Sequence, residues 1–297
     1  PATLADLPRE IDGIDEIEYL VIDDGSTDDT VAVALECGVD HIVKLPNNRG
    51  LAAGFQAGLD ACLKLGADII VNTDADNQYS GADVPLLVRP ILDGEAEMVV
   101  GDRDVAAIDH FSAPKKALQK FGSWVVRRLS DTEITDATSG FRAYSREAAL
   151  QLLVVDNFTY TLESLIQAGK GNVAVGEVAI HTNAKTRDSR LFGSTSAYVR
   201  RNGLAILRIY TRYEPLKVFS GLGVLVGILA LAAWMPFLVD WILNGDRDGH
   251  IQSLLLGAVL FIVAMQLFAL GVIGDLLAGQ RVMTQRVFER VRRIELE

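Results

Sequence analysis

Cysteine is nearly absent from this chain: Cys37 and Cys62 are the only two in 297 residues. Two thiols make no disulfide framework, and because each falls in a helix-like segment, both read as small core residues. Positive charge is scarce where a nucleic-acid binder would need it. Residues 1–195 carry 17 Lys and Arg against 31 Asp and Glu, a net −14, whereas residues 196–297 carry 11 against 8, a net +3. The acidic part argues against nucleic acid as a partner, because phosphate backbones require basic surface. Its acidity reads as solubility or as suited to a salty habitat. The basic tail suits an anionic membrane surface. The opening Pro1-Ala2-Thr3-Leu4 has neither a basic start nor an apolar run, so no secretory signal is expected there.

Charge is also missing from two stretches of the tail. Val218–Val239 is 22 residues without a charged side chain, and Leu254–Ile273 is 20 residues in which Gln266 is the strongly polar member. At 1.5 Å per residue, 20 residues give about 30 Å, the thickness of a bilayer's hydrocarbon core. A pair of buried helices in a soluble core is the plain alternative, but two such runs exceed what a domain of this size needs to bury. The intervening 244–250 loop has one Arg, while Arg200, Arg201, Arg208, Arg212 and Lys217 precede the pair and Arg281, Arg286, Arg290, Arg292 and Arg293 follow it. The positive-inside rule then predicts a cell-membrane protein with two spans and with both termini, and the domain that precedes the spans, cytoplasmic. Trp234 and Trp241 lie near the outer end of the first span, where interfacial aromatics belong. Residues 196–215 read as an amphipathic membrane-interface helix, 216–279 as a transmembrane hairpin and 280–297 as a C-terminal cytoplasmic amphipathic helix.

In residues 1–195, short apolar runs alternate with helical patterns. Tyr19–Ile22, His41–Val43, Ile69–Val71 and Met98–Val100 read as strands; a segment capped by Ser26 or Thr27, then 50–65 and Val84–Leu92, read as helices. Gly54 and Gly58 form a G-x-x-x-G, but Gln56, Asp60 and Lys64 in the same segment favour close packing on a sheet over membrane packing. Alternation of this kind predicts an α/β domain with a mostly parallel sheet, and ligands bind such sheets beyond the carboxyl ends of the strands. Two of those ends carry carboxylates: Asp23 and Asp24, and Asp74 and Asp76.

Thr73-Asp74-Ala75-Asp76 is the sharper of the two. Two carboxylates one residue apart at a strand end can bind a divalent cation through oxygen, and such a cation neutralises a departing diphosphate. The bland reading is a solvated Asp turn. For Val21-Ile22-Asp23-Asp24-Gly25-Ser26-Thr27-Asp28, an acidic side chain that accepts hydrogen bonds from a base or ribose stands beside an Asp-Gly turn feeding a helix.

Together these residues resemble the family 2 glycosyltransferases. The chain has their D-D-G-S-T-D run at 23–28 and D-A-D-x-Q at 74–78. It also has Asp136-Ala137-Thr138-Ser139-Gly140-Phe141-Arg142, similar to the D-x-x-S-G-F-R of polyprenyl-phosphate sugar transferases, and the basic Ser189-Arg190-Leu191-Phe192-Gly193-Ser194 before the membrane part. The likeness is to dolichyl-phosphate mannose synthases and undecaprenyl-phosphate sugar transferases. It implies a GT-A fold over 1–195 and transfer of a hexose from a GDP- or UDP-sugar to a polyprenyl phosphate, with inversion. Position by position, it implies that Asp24, with Asp23, contacts the nucleotide base. Asp74 with Ala75 supports the diphosphate, and Asp76 and Gln78, with Asp74, hold Mg²⁺ or Mn²⁺. Arg142, Arg187, Arg190 and Ser194 receive the acceptor phosphate, with Asp76, Arg142 and Arg190 closest to the chemistry. The family's first strand, ending in a P-x-x-N-E-like segment, has no counterpart in the sequence, so a gap in the sheet is expected. The resemblance leaves the sugar, the oligomeric state and homo-oligomerisation open. Two rival readings are a polysaccharide-elongating transferase acting on a sugar hydroxyl and a non-catalytic membrane scaffold that retains the fold.

Overall fold

The computed structural model describes residues 1–103, 113–154, 160–183, 203–204, 207–244 and 250–296. Each predicted apolar run becomes a strand: β1 (Leu20–Asp23), β2 (His41–Lys44), β3 (Ile69–Asn72) and β4 (Met98–Asp102). Around them run α1 (Ala2–Asp6), α2 (Thr30–Glu36), α3 (Leu51–Lys64), α4 (Val84–Leu92) and α5 (Ala113–Ser130). Then come β5 (Arg142–Ser145), α6 (Arg146–Gln151), α7 (Tyr160–Lys170) and β6 (Val175–Ala179), and finally α8 (Pro215–Asn244) and α9 (Ile251–Leu296).

The strands form two sheets. β1 and β2 pair in parallel, and the second sheet has the order β3-β5-β4-β6. In it β3, β4 and β6 run the same way, and β5 is inserted against them. β5 is a strand that no apolar run announces. β4 is buried along Met98, Val99 and Val100, as a central strand covered on both faces must be. Its side chains meet Leu87 and Val88 of α4 in one core with Phe141, Ala143 and Ile180.

Helix α3 turns Ala52, Phe55, Leu59 and Leu63 inward, an i, i+3, i+7, i+11 stripe. Gly58 lets it approach β1, since a Cβ there would fall 2.3 Å from Ile22 Cδ1 and the Ile22 side chain would have to shift. Close packing on a sheet is therefore the role of this G-x-x-x-G. Helix α2 begins later than expected. Asp29, not Ser26 or Thr27, precedes its first residue, because the Ser26 amide turns back to donate to Asp23 Oδ1 (2.9 Å) and so holds 24–29 as a turn.

The chain divides into two compact units, Pro1–Ile206 with Gln285–Glu297, and Leu207–Thr284. In the first, the last turns of α9 are docked rather than solvated. Arg292 is buried and its Nη1 donates to the carbonyls of Ala149 (3.1 Å) and Leu152 (3.0 Å), while Nη2 pairs with Asp60. Arg293 pairs with Glu147 and Glu289. The expected separate helix over 280–297 is instead the unbroken end of α9, held by the carbonyls that α6 leaves open at its C-terminus.

In the second unit α8 and α9 are both long and apolar enough to cross a membrane, and only 11% and 17% of their most apolar windows are buried. A core helix of a soluble protein would hide most of that surface. Glycine lets them touch: a Cβ on Gly257 would fall 2.1 Å from Trp234 Nε1, whose N–H donates to Leu254 O (3.1 Å). Of the expected interface helix at 196–215, residues 196–202 and 205–206 lie outside the described residues; 203–204 and 207–213 are helical.

Candidate active site

The D-x-D turn leaves the end of β3 and is fixed from three sides. Asp76 Oδ1 accepts from the Gln78 amide (3.1 Å), an Asx turn that Asn77 completes with a positive φ of 56°. From α1, the Thr3 hydroxyl donates to Ala75 O (3.2 Å) and Asp6 accepts from the Gly81 amide (2.7 Å). From the far end of β6, Asn183 Nδ2 donates to Asn77 O (3.1 Å), and Tyr79 bridges to Thr182. Asn183 thus lies beside this turn; Arg187, Arg190 and Ser194 lie outside the described residues.

The D-x-x-S-G-F-R loop closes over Asp74. Asn72, the last residue of β3, donates to Gly140 O (2.7 Å), and the Gly140 amide donates to Tyr79 Oη (3.1 Å). Gly140 leaves room for the carboxylate: a Cβ there would lie 3.2 Å from Asp74 Oδ2 and 2.8 Å from Tyr160 Oη. Tyr79 stacks on Phe141 with centroids 5.0 Å apart, and Tyr160 stacks on Phe55 at 4.4 Å, so the walls are rigid aromatics.

The electrostatics of this pocket are strained in a way that suits a cation. Burial, and then the neighbouring charge of Asp76, push the Asp74 carboxyl above its usual range, with Arg103 opposing. A divalent cation with hard oxygen ligands would add to the positive charge that Arg103 sets beside these two carboxylates. The amide oxygen of Asn77 is buried and without a hydrogen-bond partner among the described residues, a further oxygen of the right chemistry. The carboxylates of Asp74 and Asp76 and the amide oxygens of Asn77 and Gln78 are hard oxygen donors of the kind that Mg²⁺ or Mn²⁺ takes. Among the described residues no group of three or more His, Cys, Asp or Glu side chains is assembled, so a bound diphosphate would have to complete the coordination.

Arg103, which no sequence motif singles out, is the cation built into the pocket. It follows β4 and grips Asp136 with Nε to Oδ2 at 2.6 Å and Nη2 to Oδ1 at 3.0 Å, and it also donates to Thr138 Oγ1 (2.9 Å). Burial works against its charge, but Asp136 and then Asp74 outweigh that and hold its pKa above normal. The available signal was a lone Arg at a strand end in an acidic domain.

Arg142 is a correction. It is fully buried, and its guanidinium donates to Ser139 O (2.8 Å), Ala137 O (2.8 Å), Thr161 O (2.7 Å) and Ser164 Oγ (2.9 Å). With those interior acceptors around its fork, it braces the loop against α7 and does not reach an acceptor phosphate. Asp24 also serves the architecture, since its two oxygens accept from the Arg49 (2.7 Å) and Gly50 (2.9 Å) amides and place negative charge at the N-terminus of α3. The acceptor without a partner is on Asp23. Its Oδ1 takes the Ser26 amide, its Oδ2 is buried and unpartnered among the described residues, and Ser26 holds the carboxyl below its usual range. An anionic oxygen of this kind can receive an N–H donor such as a nucleotide base presents.

These features define a GT-A nucleotide-sugar fold with an acidic turn at a strand end. Glycosyl transferase family 2 matches residues 2–153, and the chain belongs to that family. Among its relatives, the dodecaprenyl-phosphate galacturonate synthase of Rhizobium johnstonii is 24% identical over 272 residues, covering 88% of this chain and 78% of that protein. The UDP-N-acetylglucosamine–dolichyl-phosphate N-acetylglucosaminyltransferase of Methanococcus voltae is 30% identical over 184 residues, covering 55% and 73%. The polyprenol monophosphomannose synthase of Mycolicibacterium smegmatis is 29% identical over 191 residues, covering 60% and 72%. A crystal structure of a mycobacterial protein superposes with a TM-score of 0.52 at 22% identity over 69% of each chain, a likeness of fold.

Proposed function

We propose that this protein transfers a hexose from a nucleotide diphosphate sugar to a polyprenyl phosphate, with inversion, at the cytoplasmic face of a membrane. The observation that carries the reading is the Asp74–Asp76 turn, closed by Gly140 and faced by Arg103. Relatives named for polyprenyl-phosphate sugar synthesis and the two exposed apolar helices support a lipid acceptor.

A phosphate acceptor alters what the protein must supply. A hydroxyl has to lose a proton to a general base; a phosphate monoester, with a second pKa near 6, is largely dianionic at neutral pH and attacks as it is. An acceptor oxygen forms its bond to the anomeric carbon as the carbon–oxygen bond to the nucleoside diphosphate breaks and that diphosphate keeps the electron pair. No proton moves in the step. The protein's work is to hold two anions within reach in line. Asp74, Asp76 and Gln78 would hold Mg²⁺ or Mn²⁺, which neutralises charge on the leaving diphosphate. Asp23 would receive the base, Arg103 adds fixed positive charge beside Asp74, and Arg187, Arg190 and Ser194 would meet the lipid phosphate, where an Arg fork binds oxygens in pairs.

The test is to incubate membranes holding the full chain with a panel of radiolabelled nucleotide sugars and Mn²⁺, with and without added polyprenyl phosphate. One label should enter the organic phase in response to the lipid, and Asp76→Asn should abolish this. Label passing to a free sugar acceptor instead, or activity of Asp76→Asn in excess EDTA equal to the parent, would overturn the proposal.

A further inference from the structure

Helix α5 stands apart from the domain that carries it. Its sequence holds Lys115, Lys116, Lys120, Arg127 and Arg128 and no acid, inside a stretch of 195 residues with net charge −14. One side, Val125, Val126 and Leu129, is buried toward α7. The other presents Phe121 and Trp124, each 53% exposed, as a stacked pair with centroids 6.0 Å apart and with Arg128 exposed one turn further on. Among the described residues, two large aromatics at i and i+3 facing outward beside cations lack an intramolecular cause: the pair covers no core and occupies no cleft.

We propose that this face of α5 is a second membrane contact, seating on the headgroups of an anionic bilayer. Trp and Phe at headgroup depth bury ring surface while the indole N–H stays wet, and Lys and Arg are drawn to anionic lipid. The acidic remainder of the domain would be repelled by the same surface, so the patch fixes which side approaches. A second copy of the chain fits less well, because a symmetric contact through α5 would set basic residues against their own copies. The topology gives the contact a purpose. In the sequence α5 lies between Arg103 and Asp136, the two partners of the clasp beside Asp74. Seating α5 on the bilayer sets that edge of the pocket against the phase from which a lipid phosphate arrives.

The inference rests on the membrane part of the proposed function, and the experiment separates the two. The chain has three tryptophans, Trp124, Trp234 and Trp241. Full-length protein is placed at one copy per lipid nanodisc as two variants, Trp234→Phe/Trp241→Phe, which reports from α5, and Trp124→Phe/Trp241→Phe, which reports from α8. Quenching is read with lipids brominated at shallow or deep acyl positions. The expected result is that Trp124 is quenched by shallow bromines several-fold more strongly in phosphatidylglycerol than in phosphatidylcholine, and that adding Arg128→Glu weakens this. Trp234 should be quenched by brominated acyl chains to the same extent in both lipids. If Trp234 is quenched and Trp124 is reached only by aqueous iodide, the α5 contact is wrong and the spans stand. If neither responds, the membrane reading itself falls. Protection of Trp124 that arises only with two copies per disc assigns the face to a second copy and overturns the proposal.

Discussion

Arg103 and Asp136, 33 residues apart, meet in a two-pronged clasp of 2.6 and 3.0 Å at the rim of the acidic turn. The Asp136 side chain is 2% exposed and that of Arg103 21%, so the pair is shielded from the screening that weakens surface ion pairs. Removing one partner leaves the other charge buried alone. Arg103→Ala should cost about 3–5 kcal/mol of stability, seen as a large drop in unfolding temperature. Arg103→Lys, which keeps the charge but loses the fork, should recover part of the stability and less of the transfer rate.

Acid should act through the same clasp. Burial opposes the charged form of Asp136, but hydrogen bonding and charge from Arg103 outweigh it, leaving the carboxyl below its ordinary 3.8. A carboxyl lowered on folding contributes stability that is complete above the unfolded value and disappears as pH falls through the folded one. Stability measured from pH 6 downward should therefore decline below about pH 4. The difference curve between parent and Asp136→Asn should be flat above that value and converge beneath it. A difference that grows with acid would refute the sign.

Gly140 is required by space. A Cβ would sit 2.8 Å from Tyr160 Oη and 3.2 Å from Asp74, and Tyr160 is itself buried. Gly140→Ala should cost about 1–3 kcal/mol as overpacking, with loss of nucleotide-sugar binding because Asp74 must shift. Tyr160→Phe removes the nearest atom, so the double variant should be less destabilised than the sum of the singles. Strict additivity would place the strain elsewhere.

Arg142 divides two interpretations cleanly. As a brace, its loss orphans three carbonyls and a hydroxyl inside the domain, and Arg142→Ala should lose roughly 3 kcal/mol or more and express poorly. As a phosphate ligand it would leave the unfolding temperature unchanged and raise only the KM for the lipid. Measuring both in one preparation decides between them.

The sequence was legible where the signal is local. Runs such as Met98-Val99-Val100 predict strands because a covered parallel sheet needs apolar residues on both faces, and α4 falls at Val84–Leu92 as its pattern states. β5 was not legible, since Arg-Ala-Tyr-Ser carries no apolar run; its strand character comes from the neighbours on either side. The turn at 24–29 differs from the expected helix start because Ser and Thr before acidic residues also satisfy the rule for a cap, and the Asp23 carboxylate that claims the Ser26 amide is not visible in that rule. At the site, the acidic turn could be located from strand-end position alone. The roles of the arginines could not. Arg142 is internal because Thr161 and Ser164, on a helix that begins 18 positions later, come to meet it, and Arg103 matters only through Asp136.

The docking of Arg292 has a practical corollary for anyone wishing to excise a water-soluble catalytic fragment. A cut before α8 would discard the guanidinium that satisfies the Ala149 and Leu152 carbonyls and Asp60. The minimal excisable fragment is therefore discontinuous: it needs the 285–296 helix grafted back behind a linker, or supplied as a separate peptide in trans.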